Sequence, residues 1–343
     1  MNVLATCDVM AERNGFIDSF LINAGWSDVH QDLLPGDASE RRYVRLKRDS
    51  GEKCLLMDAS RTQDVRPFVS VANYLRNAGY SAPKIIAVDF SSNLLLCEDL
   101  GDDLIGTLGN QGHNLTPLYE TAVDLLVDLQ SHEPPPVPVY DTKHLLEEAM
   151  HFLVWYMPIV LGRAPSEDMY TEFEKIWDSM FSKCCLDDRV LVLRDYHSEN
   201  LMWLPDRVGL ASIGLLDFQD AMIGARAYDL MSLLQDARRD VDPTLEEALI
   251  SRYLVTVGVD SECFHRSYAI LGAQRNTKII GIFARLARRD QKLRYLDMIP
   301  RVWRLLERNL KHPELQNARE WFDRHCPAAI RVIPNITQHD PVS

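Results

Sequence analysis

"VLVLRDYHSENLMWL", residues 190–204, decides how this chain is read. An apolar run opens into Arg194, Asp195, His197, Ser198, Glu199 and Asn200, and a second apolar run begins at Leu201. A similar opening follows at 214–224, "GLLDFQDAMIG", where Asp217 ends an apolar run and Phe218 stands behind it. Short apolar runs around polar turns read as strands joined by loops. One Asp/Asn loop is ordinarily a solvated turn, because these residues favour turns for their own reasons. Two such loops, each hemmed by apolar strands, point instead to chemistry. Phosphoryl transfer from ATP asks for a carboxylate that orients the attacking hydroxyl, and for oxygen ligands that hold magnesium against the phosphates. Asp195 fits the first role. Asn200, five residues on, and Asp217 fit the second.

Working outward, the first hundred residues read as strand-rich with one helix. "RYVRLKR" (42–48) and "KCLLMDA" (53–59) flank "DSGE", a hairpin signal. Phe68, Val71 and Leu75 recur at helical spacing, and Gly79 is a stop. "KIIAVDF" and "NLLLCEDL" read as two more strands joined by "SSN". After Gly101 long helices take over: 117–131 with Pro117 in the first turn, then 143–157 and 166–183. Strands return at 190–193, 201–204 and 210–216, and helical patterns fill the rest to about 326. The expected fold is α+β, with a β-rich N-terminal lobe (1–98) and a mainly helical C-terminal lobe (99–343).

The two loops resemble the catalytic and magnesium loops of the aminoglycoside phosphotransferase-like branch of the protein-kinase-like fold. That branch often reads H-x-D-x-x-x-x-N; here Leu193 stands where the His would be, and Arg194 precedes the Asp. "AYDLMSLLQDARRD" resembles the helix that follows, and the resemblance implies that Asp229 buttresses the catalytic loop through backbone hydrogen bonds. A helix N-terminal acid favoured by the dipole is the alternative. Taken with "LLPGDASERRYVRL", "LLLCEDLGDDL" and "QRNTKIIGIFARLARRD", the chain is most similar to the bacterial anomeric kinases of cell-wall recycling. Those enzymes phosphorylate N-acetylmuramate and N-acetylglucosamine at C1 with ATP and magnesium. The matches run from about residue 33 to 305.

The resemblance implies further site residues. "GDAS", Gly36, Asp37, Ala38 and Ser39, takes the place of the glycine-rich loop, where small residues let backbone amides approach phosphates; an ordinary hairpin turn is the alternative. Backbone at Glu98 to Leu100 is expected to meet adenine. The broad kinase pattern has a strand lysine paired with a helix glutamate, but "CLLMDA" has no lysine and the helix after it no glutamate. Arg42 and Arg45 are the candidate replacements. His197 is a candidate sugar contact or a local hydrogen-bonding residue. Arg275, Arg285 and Arg288 are candidates for a lactyl carboxylate, which Arg binds bidentately; a solvated helix face is the alternative.

The chain has 343 residues, enough for two lobes, and a composition of 46% hydrophobic and 25% charged residues, ordinary for a globular protein. Its net charge of −13 argues against nucleic acid as a partner. The 7 cysteines include no C-x-x-C pair, so neither zinc nor a disulfide framework is expected, and Cys184 and Cys185 read as helix residues. No signal peptide or bilayer-spanning stretch is apparent, and a cytoplasmic protein with no membrane partner is expected. The expected partner is a small-molecule amino sugar; oligomeric state is not legible. Two other functions remain open: a kinase of another small alcohol, aminoglycoside- or choline-like, and a catalytically dead pseudokinase scaffold, which the missing lysine motivates.

Overall fold

The computed structural model describes residues 3–35, 41–59, 63–186 and 188–336, with side chains from Arg13 onward. The elements run α1 (Val3–Asn23), β1 (His30–Leu33), β2 (Arg42–Lys47), β3 (Lys53–Asp58), α2 (Arg66–Asn77), β4 (Ile85–Asp89) and β5 (Leu94–Glu98). Then come α3 (Ile105–Asn110), α4 (Thr116–Leu129), α5 (Thr142–Ala149), a π-helical turn (Phe152–Tyr156), α6 (Met157–Leu161) and α7 (Glu167–Phe181). Short strands β6 (Arg189–Val192), β7 (Leu201–Trp203), β8 (Ile213–Leu215) and β9 (Met222–Ala225) precede α8 (Ala227–Leu234), α9 (Pro243–Val257), α10 (Ser261–Arg288), α11 (Ile299–Asn309) and α12 (Gln316–His325). Two compact units result: Met1–Thr107 with Asn200–Asp220, and Leu108–Glu199 with Ala221–Ser343. The expected lobes, 1–98 and 99–343, follow the chain, whereas these units cut across it at the β7–β8 hairpin.

In the first unit an antiparallel sheet runs β1-β2-β3-β5-β4. The β2–β3 register pairs Tyr43 with Met57 and Leu46 with Cys54, and Gly51 takes the left-handed conformation the turn requires, at φ +89°. Alternation sorts the strands into two faces. Val44, Leu46, Cys54, Leu56, Leu94 and Leu96 form a core with Phe20, Leu21 and Trp26 from α1 and the turn after it. Tyr43, Arg45, Leu55, Met57, Leu95 and Cys97 belong to the opposite face. Helix α2 buries Phe68, Val71, Ala72 and Leu75, and the Phe68 ring stacks on Phe218 at 4.9 Å. The β7–β8 hairpin is tied to this unit by Trp203 N–H to the Asp103 carbonyl (2.8 Å) and Leu215 N–H to the Ser81 carbonyl (2.9 Å).

In the second unit β6 pairs with β9, so 222–224, expected within a polar turn, belongs to a strand. Helix α10, 28 residues long, packs against α5, α8, α11 and the π-helical turn. Gly281 makes that crossing close: a Cβ there would collide with the carbonyl of His151 and the amide nitrogen of Phe152.

Four expectations are corrected. Helix α1 and strand β1 were not anticipated in a segment read as having one helix. Residues 210–212, expected in a strand, belong to a 3₁₀ turn, and β8 begins at Ile213. Cys184 and Cys185 lie after α7 rather than in a helix. Cys185 is joined to Cys263 in a disulfide, with Cα atoms 6.3 Å apart. Partners 78 residues apart carry no spacing signal.

Candidate active site

The second unit presents Asp195. Its loop leaves β6 through Arg194, which has φ +69°, a strained left-handed conformation for a non-glycine residue. Asp229, at the start of α8 and fully buried, accepts hydrogen bonds from the backbone N–H of Leu193 (2.6 Å) and Arg194 (2.9 Å). Burial pushes its carboxyl up to about 7, although the two backbone bonds act in the opposite direction. Tyr196 anchors the loop from behind, its hydroxyl donating to the Ala122 carbonyl at 2.8 Å. Ser198 N–H donates to Asp236 at 3.2 Å. His197 is buried, with Nε2 3.2 Å from the Arg238 guanidinium. Burial and Arg238 pull His197 down to about 4, which makes it a neutral brace within the loop at ordinary pH.

Asp195 itself is half-buried. Desolvation pushes its carboxyl up, but Lys278, Arg275 and Arg194 more than offset this and hold it at about 2. The Arg275 guanidinium lies 3.4 Å from Asp195 Oδ1. Lys278, one helical turn along α10, pairs with Glu148 of α5 at 2.8 Å. Glu148 also takes the Arg194 guanidinium and the Tyr140 hydroxyl. One largely buried carboxylate thus collects two cations, Arg194 of the loop and Lys278 of α10.

Of the other candidate cations on α10, Arg285 stands ten residues after Arg275, within about 80° of it around the helix. It acts electrostatically on His151, whose protonation burial, Arg285 and Lys278 together disfavour. Arg288 points to a different side of the helix. Lys278 and Glu148 were absent from the sequence reading. The three-residue step from Arg275 to Lys278 was the available signal for the first, and nothing local marks the second.

The first unit presents the oxygen donors. Asn200 and Asp217 stand at one end of the β7–β8 hairpin: Leu201 pairs with Leu215, and Leu216 N–H donates to the Asn200 carbonyl at 3.0 Å. Asp217 has φ +54°, a second left-handed non-glycine position. Gln219 Nε2 holds Asp217 Oδ1 at 2.9 Å. An amide oxygen and a half-exposed carboxylate at one hairpin end are the hard donors that magnesium takes, the remaining positions being left to water and phosphate. Among the described residues no cluster of three or more His, Cys, Asp or Glu forms a protein-only metal cage.

The nucleotide-side candidates fall differently. Gly36, Asp37, Ala38 and Ser39 lie outside the described residues. Arg45 is committed to Asp99 (2.7 Å) and Asp102 (2.8 Å). Arg42 is exposed and, by alternation, lies on the opposite face of the sheet from Arg45. The two cannot serve one site together. The Glu98 carboxylate is held by Arg207 (2.6 Å) and Arg76 (3.3 Å), and its backbone N–H donates to the Lys84 carbonyl (2.8 Å). The Leu100 side chain rests against Gly214.

A five-stranded antiparallel sheet, a helical unit and the two acidic loops define a phosphotransferase of the protein-kinase-like fold. The chain belongs to the phosphotransferase enzyme family, which matches residues 30–265. It is an enzyme, a nucleotide-using phosphotransferase.

Over its length the chain is 36% identical to a Caulobacter vibrioides protein named N-acetylmuramate/N-acetylglucosamine kinase, covering 94% of this chain and 99% of that one. A protein of the same name from Pseudomonas aeruginosa is 35% identical, covering 90% and 94%. Among solved structures, a choline/ethanolamine kinase family protein from Mesorhizobium loti superposes with a TM-score of 0.62 at 15% identity, covering 93% of this chain and 99% of that one. An ADP-bound aminoglycoside phosphotransferase gives 0.57 at 15%, covering 86% and 96%. At such identities these structures establish the fold alone. Among the described residues no helix is long and apolar enough to cross a membrane.

Proposed function

We infer that the chain is an ATP-dependent kinase that phosphorylates the anomeric C1 hydroxyl of N-acetylmuramate and N-acetylglucosamine, sugars of the bacterial cell wall. The observation that carries this reading is the near full-length similarity to curated N-acetylmuramate/N-acetylglucosamine kinases. In this reading Asp195 accepts the hydrogen bond of the C1 hydroxyl. The hydroxyl oxygen attacks the γ-phosphorus, the bond to the β-phosphate oxygen breaks, ADP leaves, and the hydroxyl proton passes to Asp195. A base held at about 2 is weak. It suffices here, because a loose transition state asks little of the base and a C1 hydroxyl beside the ring oxygen is more acidic than an ordinary alcohol.

Asn200 and Asp217 would hold magnesium, which when bound supplies positive charge against the transferring phosphates. Asp229 fixes the loop that carries Asp195 by occupying two backbone N–H groups. Arg275 and Lys278 of α10 set the charge around Asp195 through their contacts with Asp195 and Glu148.

The product distinguishes the position of transfer. A sugar 1-phosphate has lost its free reducing end, whereas a 6-phosphate keeps it. Incubation with ATP and either sugar should remove reducing equivalents one for one with ADP formed. Brief mild acid should restore them by cleaving the glycosyl phosphate. If ADP accumulates while the reducing end persists, transfer is elsewhere on the sugar or to water, and the anomeric assignment fails.

A further inference from the structure

The kinase reading leaves one charge unaccounted for. On the sheet face that carries Tyr43 and Arg45, β3 presents Leu55 and Met57 where a cation for the nucleotide phosphates is needed. Helix α2 contains no acid that a strand lysine would pair with. Arg45 is committed to Asp99 and Asp102, and Arg42 belongs to the other face. Arg41, the residue before β2, lies on the required side. Its guanidinium is 3.8 Å from Asp217 Oδ1, and its side chain is only 11% exposed. It also hydrogen-bonds the Tyr43 side chain. Burial pushes the Tyr43 phenol up to about 12, so Tyr43 is a neutral hydroxyl whose oxygen receives the guanidinium N–H.

We propose that Arg41 is the nucleotide-binding cation of this enzyme, taking the work that the broad kinase pattern gives to a strand lysine. The inference rests on the kinase reading and goes beyond it. Without nucleotide, Arg41 offsets the charge of Asp217. At 3.8 Å the contact with Asp217 is ionic and looser than a charge-assisted hydrogen bond, so Asp217 is a partner the guanidinium can exchange. When a divalent cation takes Asp217, the guanidinium loses that counter-charge and its planar fork can exchange it for two phosphate oxygens. The Tyr43 hydroxyl limits the directions in which the side chain can swing. Arginine in this role stays charged at every working pH, which a buried lysine does not guarantee.

The proposal predicts opposite changes for two ligands. In calorimetry, Arg41→Ala should weaken magnesium–ATP roughly tenfold to a hundredfold, the scale of a lost charge-assisted contact. Adenosine, which has no phosphate, should bind as to the parent. Manganese alone, without nucleotide, should bind more tightly, because Asp217 has lost its resident counter-charge. Arg41→Lys should recover part of the ATP affinity. Should Arg41→Ala fail to fold by thermal melt, Arg41→Gln provides the same comparison. Unchanged ATP affinity with tighter manganese binding would make Arg41 only a counter-ion of Asp217 and overturn the proposal. Parallel loss of ATP and adenosine would overturn it too, as a folding effect. If the parent protein itself does not bind magnesium–ATP, the kinase reading has failed rather than the choice of arginine.

Discussion

Arg275 of α10 places its guanidinium 3.4 Å from the carboxylate of Asp195, across 80 residues of chain. The arginine is almost wholly buried while Asp195 reaches solvent, so the pair joins the helical core to the reacting edge of its unit. Together with Lys278 it keeps Asp195 ionised throughout the physiological range.

The first prediction separates charge from chemistry at this pair. Asp195→Asn should lower kcat at least about a hundredfold, the scale of a lost general base, while ATP affinity stays near the parent value. Arg275→Met should leave Asp195 in place but raise its pKa, because a neighbouring cation is gone. Carbon-13 carboxyl shifts read the titration directly. A titration of Asp195 identical in parent and Arg275→Met would show that the cation does not set its charge.

Metal dependence supplies the second. Asp217→Asn removes a charged oxygen donor and Asn200→Ala a neutral one. Both should raise the magnesium concentration for half-maximal activity, Asp217→Asn the more. Superimposable magnesium titrations in parent and variants would assign the ions to other residues.

Much of this is legible in the sequence itself. The β2–β3 hairpin announced itself through Gly51 and alternating strands, and α2 through Phe68, Val71 and Leu75, because each signal is local and repeats with the period of its element. What was not legible depended on distance. Arg41, Arg42 and Arg45 look alike in the string. Alternation puts Arg42 opposite the other two, but which face matters is set only when α1 covers one and Asp217 stands by the other. The Glu148 cluster and the Cys185–Cys263 bridge join segments whose encounter no spacing encodes. Helix α1 lacks a clean apolar stripe, and so escaped a reading built on periodicity.

The third prediction concerns pH. Neither Asp195, at about 2, nor His197, at about 4, changes protonation between pH 6 and 9. Asp229, at about 7, does. Protonated, it loses its charge as an acceptor for the Leu193 and Arg194 amides, so kcat should fall as pH drops through 7. Stability should move the other way. A carboxyl with a raised folded pKa contributes most below its unfolded value and loses that contribution as pH rises through the folded one. Asp229→Asn should flatten both trends. If the acid limb of kcat and the pH slope of Tm are unchanged in Asp229→Asn, another group is titrating.

Gly281 carries no charge and lies six residues along α10 from Arg275, just under two turns, yet it fixes the phase of the helix. Its missing side chain is the notch into which the His151–Phe152 backbone is seated. A slip of one residue along that seat would rotate the helix by about 100° and advance it by about 1.5 Å. Arg275 would then leave Asp195, and Lys278 would leave Glu148. The angular setting of the cationic row is thus keyed by a hydrogen atom, at a position where the helix has nothing to contribute but closeness.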